Sequence, residues 1–340
     1  MLKSAGRLLR LRSVQVVIVI WTASVLFVAL SIQTLPFNWG GMAMPGMASM
    51  TNMSTSYQLM SANVQILFVF LLIGVTLFVT RRRTVVNIAD RAPALAKTRK
   101  EVLWMVGYAV AAQLLGLVIG HRVGGYAISL HLPGTVFGIN KYVSPKVVYA
   151  WVIYNFIVYA VIPYLFFRWR GYSNEALSLK SANRWKDGLL ILIILVLESA
   201  FELGFDRNIF SLSSQKLLVG IPATFIIYML GTTLPIMIFV YAILLPRFLK
   251  LTGSIVTTVI LGGVTYAVLH LFEAWTQWNS STNIGLSLIF LMFQYFGPGM
   301  VKSILTIRTG NAWVHVWAYH SFSPHVWLDT PLIVKIFGIK

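Results

Sequence analysis

The chain of 340 residues contains no cysteine. That excludes structural disulfides, thiolate metal sites and a cysteine nucleophile. Charge is scarce as well: 11% of residues are Asp, Glu, Lys or Arg, against about a quarter in a soluble domain. Acids are the rarest, nine Asp and Glu against 27 Lys and Arg, for a net charge of +18. On a soluble protein such an excess would raise nucleic acid as a partner. Here the cations fall in short segments between long apolar runs, so they point to topology and anionic lipid, and nucleic acid is not an expected partner. A hydrophobic fraction of 58%, a mean hydropathy of +0.78 and abundant Trp and Tyr complete the pattern of an integral membrane protein.

Nine segments are expected as spans: 14–35, 62–80, 102–120, 147–167, 188–205, 217–245, 254–275, 284–301 and 309–327. Each approaches the ~20 residues needed to cross a bilayer. The fold class is therefore an all-α, polytopic transmembrane helix bundle of about nine spans, between eight and ten. The basic start followed by an apolar run reads as a retained signal-anchor, since no small-residue cleavage site follows it. The sixth span carries Pro222 and Pro235 and is expected to kink or split. With the N-terminus inside, the inner segments hold most cations, including Arg81, Arg82, Arg83, Arg184, Arg247, Lys302 and Arg308. The outer ones hold only Arg122, Lys141, Lys146, Arg207 and Lys216. This asymmetry follows the positive-inside rule and predicts a cytoplasmic N-terminus.

The segment 36–61 carries Met42, Met44, Met47, Met50 and Met53. Thioethers suit Cu(I), but methionine also serves as adaptable apolar filler. No histidine or cysteine accompanies these residues.

Ionisable residues inside spans are costly and point to function. Glu198, Glu202 and Asp206 recur every four residues, on one helix face, with Arg207 next. Two close carboxylates suit general-base work, and an ion pair with Arg207 is the structural alternative. His270 ends an apolar span with Glu273 beyond it. An interhelical hydrogen bond would explain such a histidine equally well. His315, His320 and His325 share the stretch 311–329. On an ideal α-helix residues five apart are rotated by about 140°, so at most two of the three are expected to face a common centre. Glu202, His270 and His320 fall at similar depths on three spans of the same direction, as the walls of one partly wet cavity would.

These motifs resemble the CPBP family, the CAAX-protease and bacteriocin-processing (Abi-type) intramembrane proteases. ELGFDR (202–207) is similar to the family's EExxxR, with Leu203 in place of the second glutamate. YAVLH (266–270) is similar to FxxxH, with Tyr266 for Phe, and RTGNAWVHVWAYH (308–320) resembles the approach to the third motif. In the third motif a histidine is followed four residues on by Asn or Asp. After His320 that position is Pro324, whereas His325 has Asp329.

The resemblance covers 188–327. It implies a four-span region at 1–187, a catalytic bundle at 188–327 and a tail at 328–340. It further implies peptide-bond hydrolysis within the membrane, with catalytic Glu202, His270 and His320. Glu198, Arg207, His325 and Asp329 would support them or bind substrate. The chemistry is expected without metal. A zinc version would use Glu202, His270 and His320 as ligands, and that set lacks zincin spacing. The implied partners are a membrane protein or peptide substrate and the bilayer, and the implied location is a bacterial plasma membrane. Two other classes remain: a pseudoprotease that binds peptides or partners, and a proton-coupled transporter. The absence of an internal repeat weighs against the transporter.

Overall fold

The computed structural model describes residues 6, 8–30, 35, 54–133 and 143–340. Met42, Met44, Met47, Met50 and Met53, and the copper reading placed on them, lie outside the described residues. Among those residues every regular element is helical. Seven helices are long and apolar enough to cross a membrane: α1 (Arg12–Leu30), α2 (Thr55–Val79), α3 (Leu95–Gly124), α4 (Pro145–Trp169), α5 (Arg184–Phe205), α6 (Ser214–Thr252) and, later in the chain, α8 (Ser281–Thr309).

The expected seventh and ninth spans take other forms. The helix α7 (Ile255–Val268) has 14 residues, about 21 Å of rise, short of a hydrocarbon core of about 30 Å. The stretch after α8 is broken into a single α-turn, Trp313–His315, π-turns at Val316–His320 and Phe322–Val326, and a final helix α9 (Trp327–Phe337). Residues 328–340 are thus mostly the body of α9, which packs along the first half of α6.

α6 does not split at its prolines. It absorbs Pro235 between π-turns at Met229–Thr233 and Met237–Leu244. A wider i→i+5 register accommodates the amide that proline lacks. α6 and α8 form the centre: 72% and 61% of their most apolar windows are buried, against 6% for α1. Large apolar side chains such as Leu103, Trp104 and Leu192 face outward, toward where lipid would lie.

α7 packs on the second half of α8 through glycine. A Cβ on Gly263 would lie 2.7 Å from the Phe296 carbonyl oxygen, and one on Gly299 would lie 2.8 Å from both Gly263 Cα and Tyr266 Cβ. Small residues let the two backbones approach, as in membrane interfaces generally, and this brings Tyr266 against Lys302.

One end of the bundle is tied by buried polar contacts. Arg83 pairs with Asp187 at 2.5 Å, and Asp187 also accepts from Ser181 (2.6 Å) and Asn311 (2.9 Å). Arg91 donates to Ser178 and to the Gly310 carbonyl, while Arg308 donates to Thr80. Arg247 pairs with Glu101 at 2.8 Å, and Tyr172 donates to the same carboxyl. Two cations counted above with the inner segments are therefore not solvent-facing loop charges. Arg247 is fully buried within α6, and Lys302 is 1% exposed within α8.

Candidate active site

The site is built at the opposite end, from chain turns that close α3, α5 and α7. α3 stops at Gly125, whose φ of +79° forms a left-handed cap. The chain then folds back on α3, where Ile128 N–H donates to the Gly116 carbonyl at 2.9 Å. Gly120 gives this return path its room, since a Cβ there would strike the Tyr126–Ile128 backbone. Trp151 and Asn155 of α4 donate to the Ser129 carbonyl at 2.9 and 2.8 Å. The segment so pinned delivers His131. α7 ends at Val268, and two tight turns carry His270 and then Glu273 inward.

Five of the six histidines meet here. Ring centroids run from His315 to His320 (6.0 Å), to His325 (5.3 Å), to His131 (5.2 Å) and to His270 (4.8 Å). All three histidines of the 311–329 stretch take part, contrary to the two at most that α-helical geometry allows. The reason is local. The stretch is not α-helical: Ser321 N–H donates to the Val316 carbonyl, an i→i+5 bond of 2.9 Å. In that register a spacing of five residues returns to the same side. The break at Ser323 (φ −111°, ψ 126°) precedes Pro324, as the steric restriction on a residue before proline requires, and it re-aims His325.

The polar partners of these rings are directional. His270 Nδ1 donates to the Tyr266 carbonyl at 2.6 Å. His131 Nδ1 lies 3.1 Å from the Tyr295 hydroxyl, and His325 Nδ1 lies 3.0 Å from an Asp329 oxygen. Among the described residues, the Nε2 atoms of His131, His270 and His325 have no hydrogen-bond partner, nor has Glu273 Oε1. His320 instead lies 3.4 Å from the Tyr266 hydroxyl through Nε2. His131 lies between the spans α3 and α4. Burial, then the nearby His325 and Lys302, push its pKa well below the usual imidazole range.

A cavity of about 200 Å³ adjoins the cluster. Its walls include Glu198 and Glu202 of α5, His131, Glu273, Tyr266 and Lys302. Glu198 is 2% exposed and has Glu202, Tyr319 and Lys302 as polar neighbours. Lys302 Nζ sits 3.6 Å over the Tyr266 ring. Asp206, also expected on this face, caps the chain after α5 by accepting from Asn208 N–H at 2.8 Å. Arg207 is exposed beyond the helix and makes no ion pair among the described residues. It does not hold Glu198; the cation facing that carboxyl is Lys302.

The structure thus brings Glu198, Glu202, His270, His320, His325 and Asp329 to one region and leaves Arg207 out. Sequence reasoning missed His131, Tyr295 and Lys302, and gave Glu273 no role. His131 carried one usable signal, a histidine beside Pro133 in a segment outside the spans. Lys302 was masked by its place near the end of a span, where lysine is ordinary.

No protein-family model, curated protein or solved structure matches this chain.

Proposed function

We propose that this protein is an intramembrane endopeptidase that hydrolyses a peptide bond with a glutamate-activated water. One observation carries the reading: Glu202 and Glu198 open onto the same cavity of about 200 Å³ as His131 and Glu273, beside His270. Acids and an imidazole around a space large enough for water, with further imidazoles adjoining, are parts that general acid–base hydrolysis needs.

Glu202, the more open of the two α5 carboxyls, accepts the proton of a water held in the cavity with the help of His270. That water attacks the scissile carbonyl. An imidazole then protonates the leaving amine. For this role His325, oriented by Asp329 and next to His131, is better placed than His320, whose Nε2 faces the Tyr266 hydroxyl. Lys302 supplies N–H donors beside Glu198 and toward a developing oxyanion. Exclusion of bulk water strengthens each of these interactions. The asymmetry of loop cations supports an N-terminus in the cytoplasm and a cavity toward the far face, in a plasma membrane, bacterial on the family resemblance.

The test uses purified protein in proteoliposomes with a single-span peptide reporter. Cleavage is expected in the wild type and is lost in Glu202→Ala and His270→Ala. Cleavage that survives both changes overturns the mechanism. Binding of the reporter without cleavage by the wild type favours the pseudoprotease.

A second reading is favoured by the file of five imidazoles, a possible proton relay. It expects pH-driven flux into sealed vesicles without proteolysis.

A further inference from the structure

We infer that His131, His270 and Glu273 form a binding site for a first-row divalent transition metal of the zinc class. The inference is independent of peptide hydrolysis. It also departs from the set of Glu202, His270 and His320 that the sequence motifs imply, since two of its three donors lie outside those motifs.

The first support is convergence. One donor atom from each of the three residues lies within 4.8 Å of the other two. Donors about 2.1 Å from a tetrahedral ion are about 3.4 Å apart. Closing the widest pair therefore asks about 0.7 Å from each side, within reach of side-chain rotation. The residues come from two separately pinned segments, the return loop after α3 and the turns after α7, so the approach is not an accident of one helix face.

The second support is orientation. A histidine ligand generally donates its other ring N–H to a carbonyl, carboxylate or hydroxyl, which fixes the tautomer. His270 does so: the Tyr266 carbonyl can only accept, so Nδ1 carries the proton and Nε2 keeps its lone pair. The Tyr295 hydroxyl lies 3.1 Å from Nδ1 of His131, where it can accept that ring's N–H. Tyr295 also stacks on His270, with ring centroids 3.9 Å apart, so one aromatic holds both imidazoles. Ser129 and the His131 backbone are polar neighbours of the Glu273 carboxyl.

The third support is the set of orphaned atoms. His131 Nε2, His270 Nε2 and Glu273 Oε1 are buried without hydrogen-bond partners among the described residues. Leaving a buried polar atom unpaired is costly, and here one such atom belongs to each of the three residues whose donors converge. A cation satisfies all three at once. Two imidazoles and a carboxylate, with no thiolate available in a cysteine-free chain, select zinc and its divalent neighbours over Cu(I). His325, whose ring centroid lies 5.2 Å from that of His131, offers a further donor. Its Nδ1 is held by Asp329 and its Nε2 is free, the carboxylate–histidine arrangement of a fourth ligand.

The test titrates Zn²⁺ into tag-free, chelator-stripped full-length protein in detergent, followed by calorimetry, elemental analysis and zinc-edge X-ray absorption. The expected result is one tightly bound zinc per chain, with nitrogen and oxygen scatterers only and an imidazole signature. Glu273→Gln and His131→Gln should each weaken binding at least 100-fold. Tyr295→Phe, which leaves every ligand in place, should weaken it about 10- to 100-fold. Failure of wild-type protein to retain stoichiometric zinc overturns the inference. So does sulfur scattering, which would put the ion on methionine. Binding unchanged in Glu273→Gln and His131→Gln overturns it as well. The absorption spectrum of the wild type decides the matter even if the variants fail to fold. Zinc bound as expected in a protein without peptidase activity would remove the hydrolytic reading and leave the site intact.

Discussion

His325 Nδ1 lies 3.0 Å from Asp329 Oδ2, one helical turn further on, and both side chains are buried. The contact spans the junction between the second π-turn and α9. It sets the direction of a ring that packs face-on against Tyr228, with centroids 4.4 Å apart. Asp329→Asn keeps the shape of the side chain and removes its charge. On the hydrolytic reading, cleavage of the single-span reporter should fall about 10- to 100-fold, the cost typical of losing such an orienting partner, with little change in thermal unfolding. Full activity in Asp329→Asn would separate this pair from the chemistry.

Glu202→Gln should lower reporter cleavage by about 10²- to 10⁴-fold, the usual contribution of a general base, while reporter binding persists. Glu198→Gln, which keeps the contact with Tyr319, should cost less. Initial rates at saturating reporter distinguish the two. Equal losses would mean that the carboxyls act as a pair.

The cavity can be tested for water without reference to function. The chain lacks cysteine, so one introduced cysteine reports alone. A charged, membrane-impermeant thiol reagent should label Glu202→Cys, whose parent side chain lines the cavity. It should leave Leu192→Cys unlabelled, because Leu192 is exposed only on the apolar outer surface of α5. Labelling of Leu192→Cys at the same rate would contradict the arrangement of α5.

At the opposite end, Arg247→Met leaves the buried carboxyl of Glu101 without its closest cation. Breaking one partner of a buried pair costs about 3–5 kcal/mol. Thermal unfolding in detergent should show a large loss, and Glu101→Gln combined with Arg247→Met should recover part of it. No recovery in the double variant would argue against direct coupling.

Gly263→Val should destabilise the α7–α8 crossing by about 1–3 kcal/mol, as overpacking does, because even a Cβ there meets the Phe296 carbonyl oxygen at 2.7 Å. Gly107→Val, with open space around its Cα, is the control. Unfolding temperatures of the two variants should differ clearly.

Much of the site was legible because its signal is local. A carboxylate or imidazole in an apolar run stands out wherever it lies, so Glu198, Glu202, His270 and the 311–329 histidines could be read directly. The RTGN stretch also has a local explanation. Arg308 holds Thr80, Gly310 takes a φ of +65°, and Asn311 ties Asp187 while capping Trp313 N–H. Helix periodicity misled at His315, His320 and His325, because an i→i+5 turn leaves no mark in a hydropathy pattern. Arg207 misleads for the opposite reason: it neighbours the carboxylates in sequence but not in space, because α5 ends before it.

The sequence by itself determined an all-helical, membrane-type chain and the chemistry of its rare polar groups, because apolar run length and unpaired charge are properties of single segments. Only the tertiary structure decided which polar groups meet. His131 reaches His270 because Gly116 and Gly120 let the chain fold back on α3. Lys302 reaches the cavity because glycines allow α7 and α8 to touch. Both depend on close approach between segments far apart in the chain, and no local pattern carries that information.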